Sequence, residues 1–202
     1  IRTTDHARLL EMAEHATVPV INALTDLTHP CQIMADIMTI EEHRGSVTGK
    51  TLAWTGDGNN VLHSLVEGAA RFGYKMNMAV PLGSEPDDKI LNWARNNGGE
   101  IMLCHDAERA VDGVDCVITD TWVSMNQEHK ARGHNVFQPF QVNADLMKKA
   151  KDEALFLHCL PAHRGEEVTD EVIDGAQSVV FDEAENRLHA QKSILAWCLG
   201  AI

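Results

Sequence analysis

Short, nearly continuous apolar runs recur through this chain, and stretches of helical periodicity separate them. The runs are TVPVINA (17–23), KTLAWTG (50–56), YKMNMAV (74–80), EIMLC (100–104), DCVIT (115–119), ALFLHC (154–159) and QSVVF (177–181). Runs of this kind mark strands covered on both faces, rather than strands with one wet face. Between two of them, NVLHSLVEGAARF sets Val61, Leu62, Leu65, Val66, Ala69 and Phe72 on one side at a period near 3.6. EPDDKILNWARNNG opens with proline and acids and closes on glycine, as helix ends prefer. Strand, helix, strand in series implies an α/β fold built on a doubly wound parallel sheet. The last helix is expected at roughly 184–199.

In such a sheet, ligands bind beyond the carboxyl ends of the strands. Polar residues gather there: Gly56 to Asn60, Asp120 to Met125, His158-Cys159-Leu160-Pro161, and Asp182 to Arg187. Pro161 disfavours the α region for Leu160, so the spacing predicts an extended, held backbone with Cys159 at the strand tip. The plain alternative for Cys159 is a small buried hydrophobe. TGDGNNV carries two glycines of a dinucleotide fingerprint, but Val61 stands where the third belongs. Its plain alternative is a tight turn whose asparagines cap the next helix. His29-Pro30 opens another helix, with proline at the favoured first position and Gln32 one turn on. A helix start with free N–H groups, an imidazole and an amide suits a carbonyl or a phosphate.

Composition removes several classes. Seventeen basic against 30 acidic residues, net −13, argue against nucleic acid or an anionic membrane surface as partner. No apolar run is long enough to span a bilayer. The five cysteines form no Cys-x-x-Cys pair, and the histidines show no ligand spacing. No disulfide framework, metal or cofactor is therefore expected, and free thiols point to a reducing, cytoplasmic setting. The chain starts at Ile1 without methionine, so an upstream part is expected.

Taken together, His29-Pro30-Cys31-Gln32, Gly58-Asn59-Asn60, Asp120-Thr121-Trp122-Val123-Ser124-Met125, His158-Cys159-Leu160-Pro161 and Ala184-Glu185-Asn186-Arg187 resemble ornithine carbamoyltransferases, of the aspartate/ornithine carbamoyltransferase family. The resemblance covers nearly the whole chain. It implies carbamoyl transfer from carbamoyl phosphate to the δ-amine of L-ornithine, giving citrulline and phosphate. It further implies that Arg2, His29, Pro30, Cys31, Gln32, Cys159, Leu160 and Arg187 contact carbamoyl phosphate. Asn60, Asp120, Ser124 and Met125 would hold ornithine, with Cys159, His29 and Asp120 at the reaction centre. Residues 1–35 would end a carbamoyl-phosphate domain, 36–183 form a Rossmann-like ornithine domain, and 184–202 return as a helix to the first. A homotrimer is implied for the full-length protein. Two departures stand out: the family's Ser-x-Arg-Thr phosphate loop is not among these residues, and Asn126 follows Ser124-Met125 where glycine is usual. The chain alone is accordingly expected to be nearly inactive. Other readings at this level are a carbamoyltransferase for putrescine or N-acetylornithine, an NAD-binding oxidoreductase domain, and a silent binding module.

Overall fold

The computed structural model describes residues 1–122 and 134–202. Five strands, β1 (Thr51–Thr55), β2 (Lys75–Ala79), β3 (Glu100–Cys104), β4 (Cys116–Thr119) and β5 (Leu155–His158), form one parallel sheet in the order β3-β2-β1-β4-β5. The chain runs outward from β1 to β3, then returns to the other side of β1 for β4 and β5. The order therefore reverses between β1 and β4, the place at which sheets of this kind leave a ligand crevice above the strand ends.

Alternation along the strands divides the core in two. Leu52, Trp54, Met76, Met78, Cys116, Ile118, Leu155 and Leu157 face a layer containing α2 (Pro30–Arg44), α3 (Asn60–Phe72) and α4 (Asp88–Asn96). Ala53, Val117 and Phe156 face the opposite layer, with α5 (Ala107–Val111), α6 (Ala144–Met147) and α7 (Asp170–Ile173). Both faces are covered, which is why the strands read as continuous apolar runs. The helix boundaries follow their caps. Asn59 caps α3 by accepting from the N–H groups of Val61 and Leu62, and Gly73 ends it in the left-handed region at φ 72°.

Two expected strands are absent. Residues 17–23 form no ladder; the nearby contact is a single bridge between Arg2 and Leu24. Residues 177–181 make one bridge, Ser178 to Phe156, before the backbone turns into α8 (Val180–Cys198). An apolar run this short has the same pattern at a strand or at a buried helix start, and here the helix takes it. The first half of α8 buries Val180, Glu183, Asn186 and Ala190. Its later residues Gln191, Ile194 and Leu195 line a groove with Met12, Val18 and Ile21 of the N-terminal segment, which follows and includes part of α1 (His6–His15). No helix among the described residues is long and apolar enough to cross a membrane.

Candidate active site

The crevice at the sheet reversal is closed by side chains from three strand ends. Asp120, directly after β4, is buried, and its Oδ2 accepts from Asn59 Nδ2 at 2.8 Å. Its Oδ1 accepts from the Thr121 N–H at 2.7 Å and from the Cys159 thiol at 3.2 Å. One carboxylate thus ties the ends of β1, β4 and β5 together. Burial, then the negative charges of Asp120 and Glu183, push the Cys159 thiol well above its ordinary range. Cys159 is therefore a neutral S–H donor, not a thiolate nucleophile.

The start of α2 supplies the second wall. His29 caps the helix, is buried, and donates its backbone N–H to Ser64 Oγ at 2.8 Å. Its Nδ1 has no partner among the described residues. Burial first, then the charges of Arg187 and Arg2, lower its pKa to about 4, so the imidazole is neutral at physiological pH. Gln32, one turn on, accepts through Oε1 a short hydrogen bond from Arg187 Nη1 of α8. Gln191, with its amide oriented to suit, accepts from Nε and Nη2 of the same guanidinium at 2.9 Å each. The arginine is thus braced from two helices.

Glu183 joins the two walls. Its Oε1 accepts from Gln32 Nε2 at 2.8 Å, and its Oε2 accepts from the backbone N–H of His158 at 2.9 Å, one residue before Cys159. Asp36 also accepts from Gln32 Nε2, at 2.8 Å. The His158 ring does not serve Cys159. Its Nδ1 accepts from the Leu160 N–H at 2.9 Å, and its Nε2 faces Glu167 Oε1 at 3.2 Å. That pair fixes the neutral tautomer with the proton on Nε2. Leu160 itself is not extended, as the following proline predicts, but has φ 50° with a cis bond to Pro161. The His158 imidazole holds the Leu160 N–H in that left-handed turn, overriding the local preference. Asp120, His158 and Cys159 each bring a donor atom within 4.8 Å of the others. With the ring nitrogens engaged and the thiol protonated, the trio fits a hydrogen-bond cluster better than a metal ion.

Gly58 shows what the paired glycines of TGDGNN do. A Cβ there would lie 2.2 Å from the Ser84 carbonyl oxygen and 2.6 Å from Pro86 N, and the Gly58 N–H donates to that oxygen at 2.8 Å. The backbone of residues 84–86, not a pyrophosphate, takes the space that glycine leaves.

A model of the aspartate/ornithine carbamoyltransferase Asp/Orn binding domain matches residues 48–198, and one of the carbamoyl-P binding domain of that family matches residues 1–42. The chain belongs to the aspartate/ornithine carbamoyltransferase family. It is 86% identical over 202 residues to an ornithine carbamoyltransferase of Rhizobium johnstonii and 82% identical to one of Rhizobium meliloti. All of this chain aligns in both cases, with 66% and 67% of the relatives' lengths. The chain spans about two thirds of the curated relatives it matches. Among solved structures, the ornithine carbamoyltransferase of Pyrococcus furiosus superposes with a TM-score of 0.93 at 51% identity, over 100% of this chain and 66% of that one. The anabolic enzyme of Campylobacter jejuni gives 0.92 at 36% identity, over 100% of this chain and 68% of that one.

Against this family frame, the residues singled out in the sequence divide. His29, Gln32, Arg187, Asp120 and Cys159 converge on the crevice. Arg2 is exposed, yet its charge reaches His29. Pro30 lines a groove with Ile33, Met34 and Trp93, and the Cys31 thiol donates to the Asn22 carbonyl at 3.3 Å; both side chains turn from the Gln32 side of the helix. Asn60 directs its amide to the Thr25 carbonyl at 2.6 Å, and it is Asn59 that meets Asp120. Ser124, Met125 and Asn126 lie outside the described residues. Asn59, Asp36, Glu183 and Glu167 were not singled out as site residues. Asp36 follows Gln32 by four and Glu183 precedes Arg187 by four, so helical spacing alone placed each beside a chosen residue.

Proposed function

We propose that this chain carries the ornithine half and part of the carbamoyl-phosphate half of an ornithine carbamoyltransferase. The reaction is attack of the δ-amine of L-ornithine on the carbonyl carbon of carbamoyl phosphate, releasing citrulline and phosphate. The observation that carries the reading is the buried chain of contacts from Arg187 through Gln32 and Glu183 to the β5 tip, where Cys159 bonds Asp120. It sets an anion-and-carbonyl wall against an amine-binding wall.

The chemistry makes three demands. A lysine-like amine must lose its proton, at a cost of about 4.6 kcal/mol at pH 7 from an ordinary pKa near 10.4. The carbonyl oxygen gains charge as the tetrahedral centre forms, and donors must already face it. The leaving phosphate needs cations. Neutral His29 offers the carbonyl oxygen a hydrogen bond without proton transfer, because its pKa of about 4 keeps it from acting as an acid. Arg187, with Arg2, supplies positive charge on the phosphate side. Gln32 Oε1 can accept from the carbamoyl NH2. Asp120 binds the α-ammonium of ornithine and orients the Cys159 thiol beside the attacking amine. Ser124, Met125 and Asn60 are proposed to complete the amino-acid site, and Pro30, Cys31 and Leu160 to frame carbamoyl phosphate through their backbone.

We assign residues 1–35 and 184–202 to the carbamoyl-phosphate domain and 36–183 to the ornithine domain, in a cytoplasmic protein that is trimeric at full length. Sedimentation mass of the full-length protein tests the last point. The acceptor is tested by incubating that protein with carbamoyl phosphate and ornithine, putrescine or N-acetylornithine in turn. Ornithine is expected to be carbamoylated fastest, because Asp120 calls for an α-ammonium. Faster reaction of either alternative would overturn the assignment of Asp120.

A further inference from the structure

The two acids that meet at Gln32 are the least expected feature of the site. Asp36 and Glu183 are each 1% exposed, and each accepts from the same nitrogen, Gln32 Nε2, at 2.8 Å. Two acceptors at that distance from one NH2 group bring the two carboxyls together in a site closed to water. Ionised carboxylates only accept hydrogen bonds, and two of them gathered unscreened on one amide repel each other, which a single shared proton relieves. Among the described residues Arg187 makes no direct bond to either acid: its Nη1 donates to Gln32 Oε1, and its Nε and Nη2 to Gln191. The other ionisable groups facing the pair are Asp120 and the Cys159 thiol at the strand tips and the buried Tyr74 phenol after α3. None of these neutralises two acids: one is negative and two are neutral when protonated.

We infer that Asp36 and Glu183 hold a single proton between them and act as positioning residues, turning the Gln32 carbonyl oxygen toward Arg187 and fixing the strand tip that carries Cys159. Both hydrogens of the Gln32 amide are taken by the acids, which leaves its oxygen as the only atom that can face the crevice. Glu183 Oε2 meanwhile holds the His158 N–H at 2.9 Å. One acid pair therefore sets the orientation of groups on both walls. Burial supports the same proton count, raising Asp36 to about 6 and Glu183 well above the usual carboxylate range. That the positioned atoms serve carbamoyl transfer rests on the proposed function; the proton itself does not, and its readout needs no turnover.

Asp36→Asn is the discriminating variant. Its oxygen can still accept from Gln32, while its NH2 donates to a now ionised Glu183, so the geometry survives and the proton is no longer needed. The folded 202-residue chain with 13C-labelled carboxyls should show one protonated carboxyl at pH 7.5 in the parent and none in Asp36→Asn. The Gln32 side-chain NH2 should remain protected from hydrogen exchange in Asp36→Asn and lose up to about tenfold in Asp36→Ala, the scale of one lost hydrogen bond. A parent with no protonated carboxyl at pH 7.5, or one that persists in Asp36→Asn, would overturn the inference, as would unchanged Gln32 protection in Asp36→Ala. If Asp36→Ala does not fold, the parent and Asp36→Asn decide by carboxyl titration alone.

Discussion

Asp120 carries more of the proposed site than any other side chain, because its two oxygens serve three donors. Asp120→Asn leaves one oxygen for Asn59, Thr121 and Cys159 and turns an NH2 toward a donor. A buried donor left unpaired costs about 1–3 kcal/mol of stability. Loss of the charge that binds the substrate ammonium removes a further 2–5 kcal/mol, on the order of a 30- to several-thousand-fold fall in kcat/KM. Cys159→Ser keeps a small donor facing Asp120 Oδ1, which the thiol meets at 3.2 Å, and should fall less. Steady-state kinetics of the two variants in the full-length protein check the order. A serine variant slower than the asparagine one would mean the sulfur has a larger part, such as covalent attack, for which serine without an adjacent base would fail. At this scale the sequence was most informative where the residue type is itself the chemistry, as for Asp120, Cys159, His29 and Arg187. It reached Asn59 as a helix cap, which it is, but could not show that the amide end of the same side chain meets Asp120. It could not find that Asp36 and Glu183 meet at one nitrogen of Gln32, since the two lie far apart in the chain on two packed helices.

Between elements, His63 on α3 holds the start of α4 and the loop before α2. Its Nδ1–H donates to the Leu27 carbonyl at 2.8 Å, and its Nε2 accepts from the Asp87 N–H at 3.0 Å. Both bonds need the neutral ring, and burial lowers the His63 pKa from its ordinary 6.5, against the opposing pull of Leu27 and Asp87. The folded state thus binds fewer protons than the unfolded one. The stability that His63 contributes is fully present above pH 6.5 and declines as pH falls through that value toward the folded pKa. An NMR titration should find the ring titrating below 6.5, with the proton of the neutral form on Nδ1, and His63→Ala should cost about 1–3 kcal/mol. A ring that titrates at or above 6.5 would contradict the assignment. The elements themselves were legible where both faces of a strand are covered, and the runs from 50 to 159 each contain one strand of the sheet. The runs at 17–23 and 177–181 misled because apolar content reports burial, and a buried loop or helix start buries as well as a strand.

For the whole molecule, the doubly wound sheet decides where chemistry can occur: the order reverses between β1 and β4, and the polar ends of those strands meet over the gap. The net charge of −13 places the burden of anion capture on a few local cations, with Arg187 braced by Gln32 and Gln191 as the best held. The Ser-x-Arg-Thr segment that the family resemblance calls for is not among these 202 residues, so these cations should not suffice alone. The most direct test is citrulline formation from carbamoyl phosphate and ornithine, measured for the full-length protein and for the 202-residue chain at equal concentration. The full-length protein should form citrulline at ordinary enzyme rates and the chain very little. A full-length protein that folds but forms no citrulline would contradict the account.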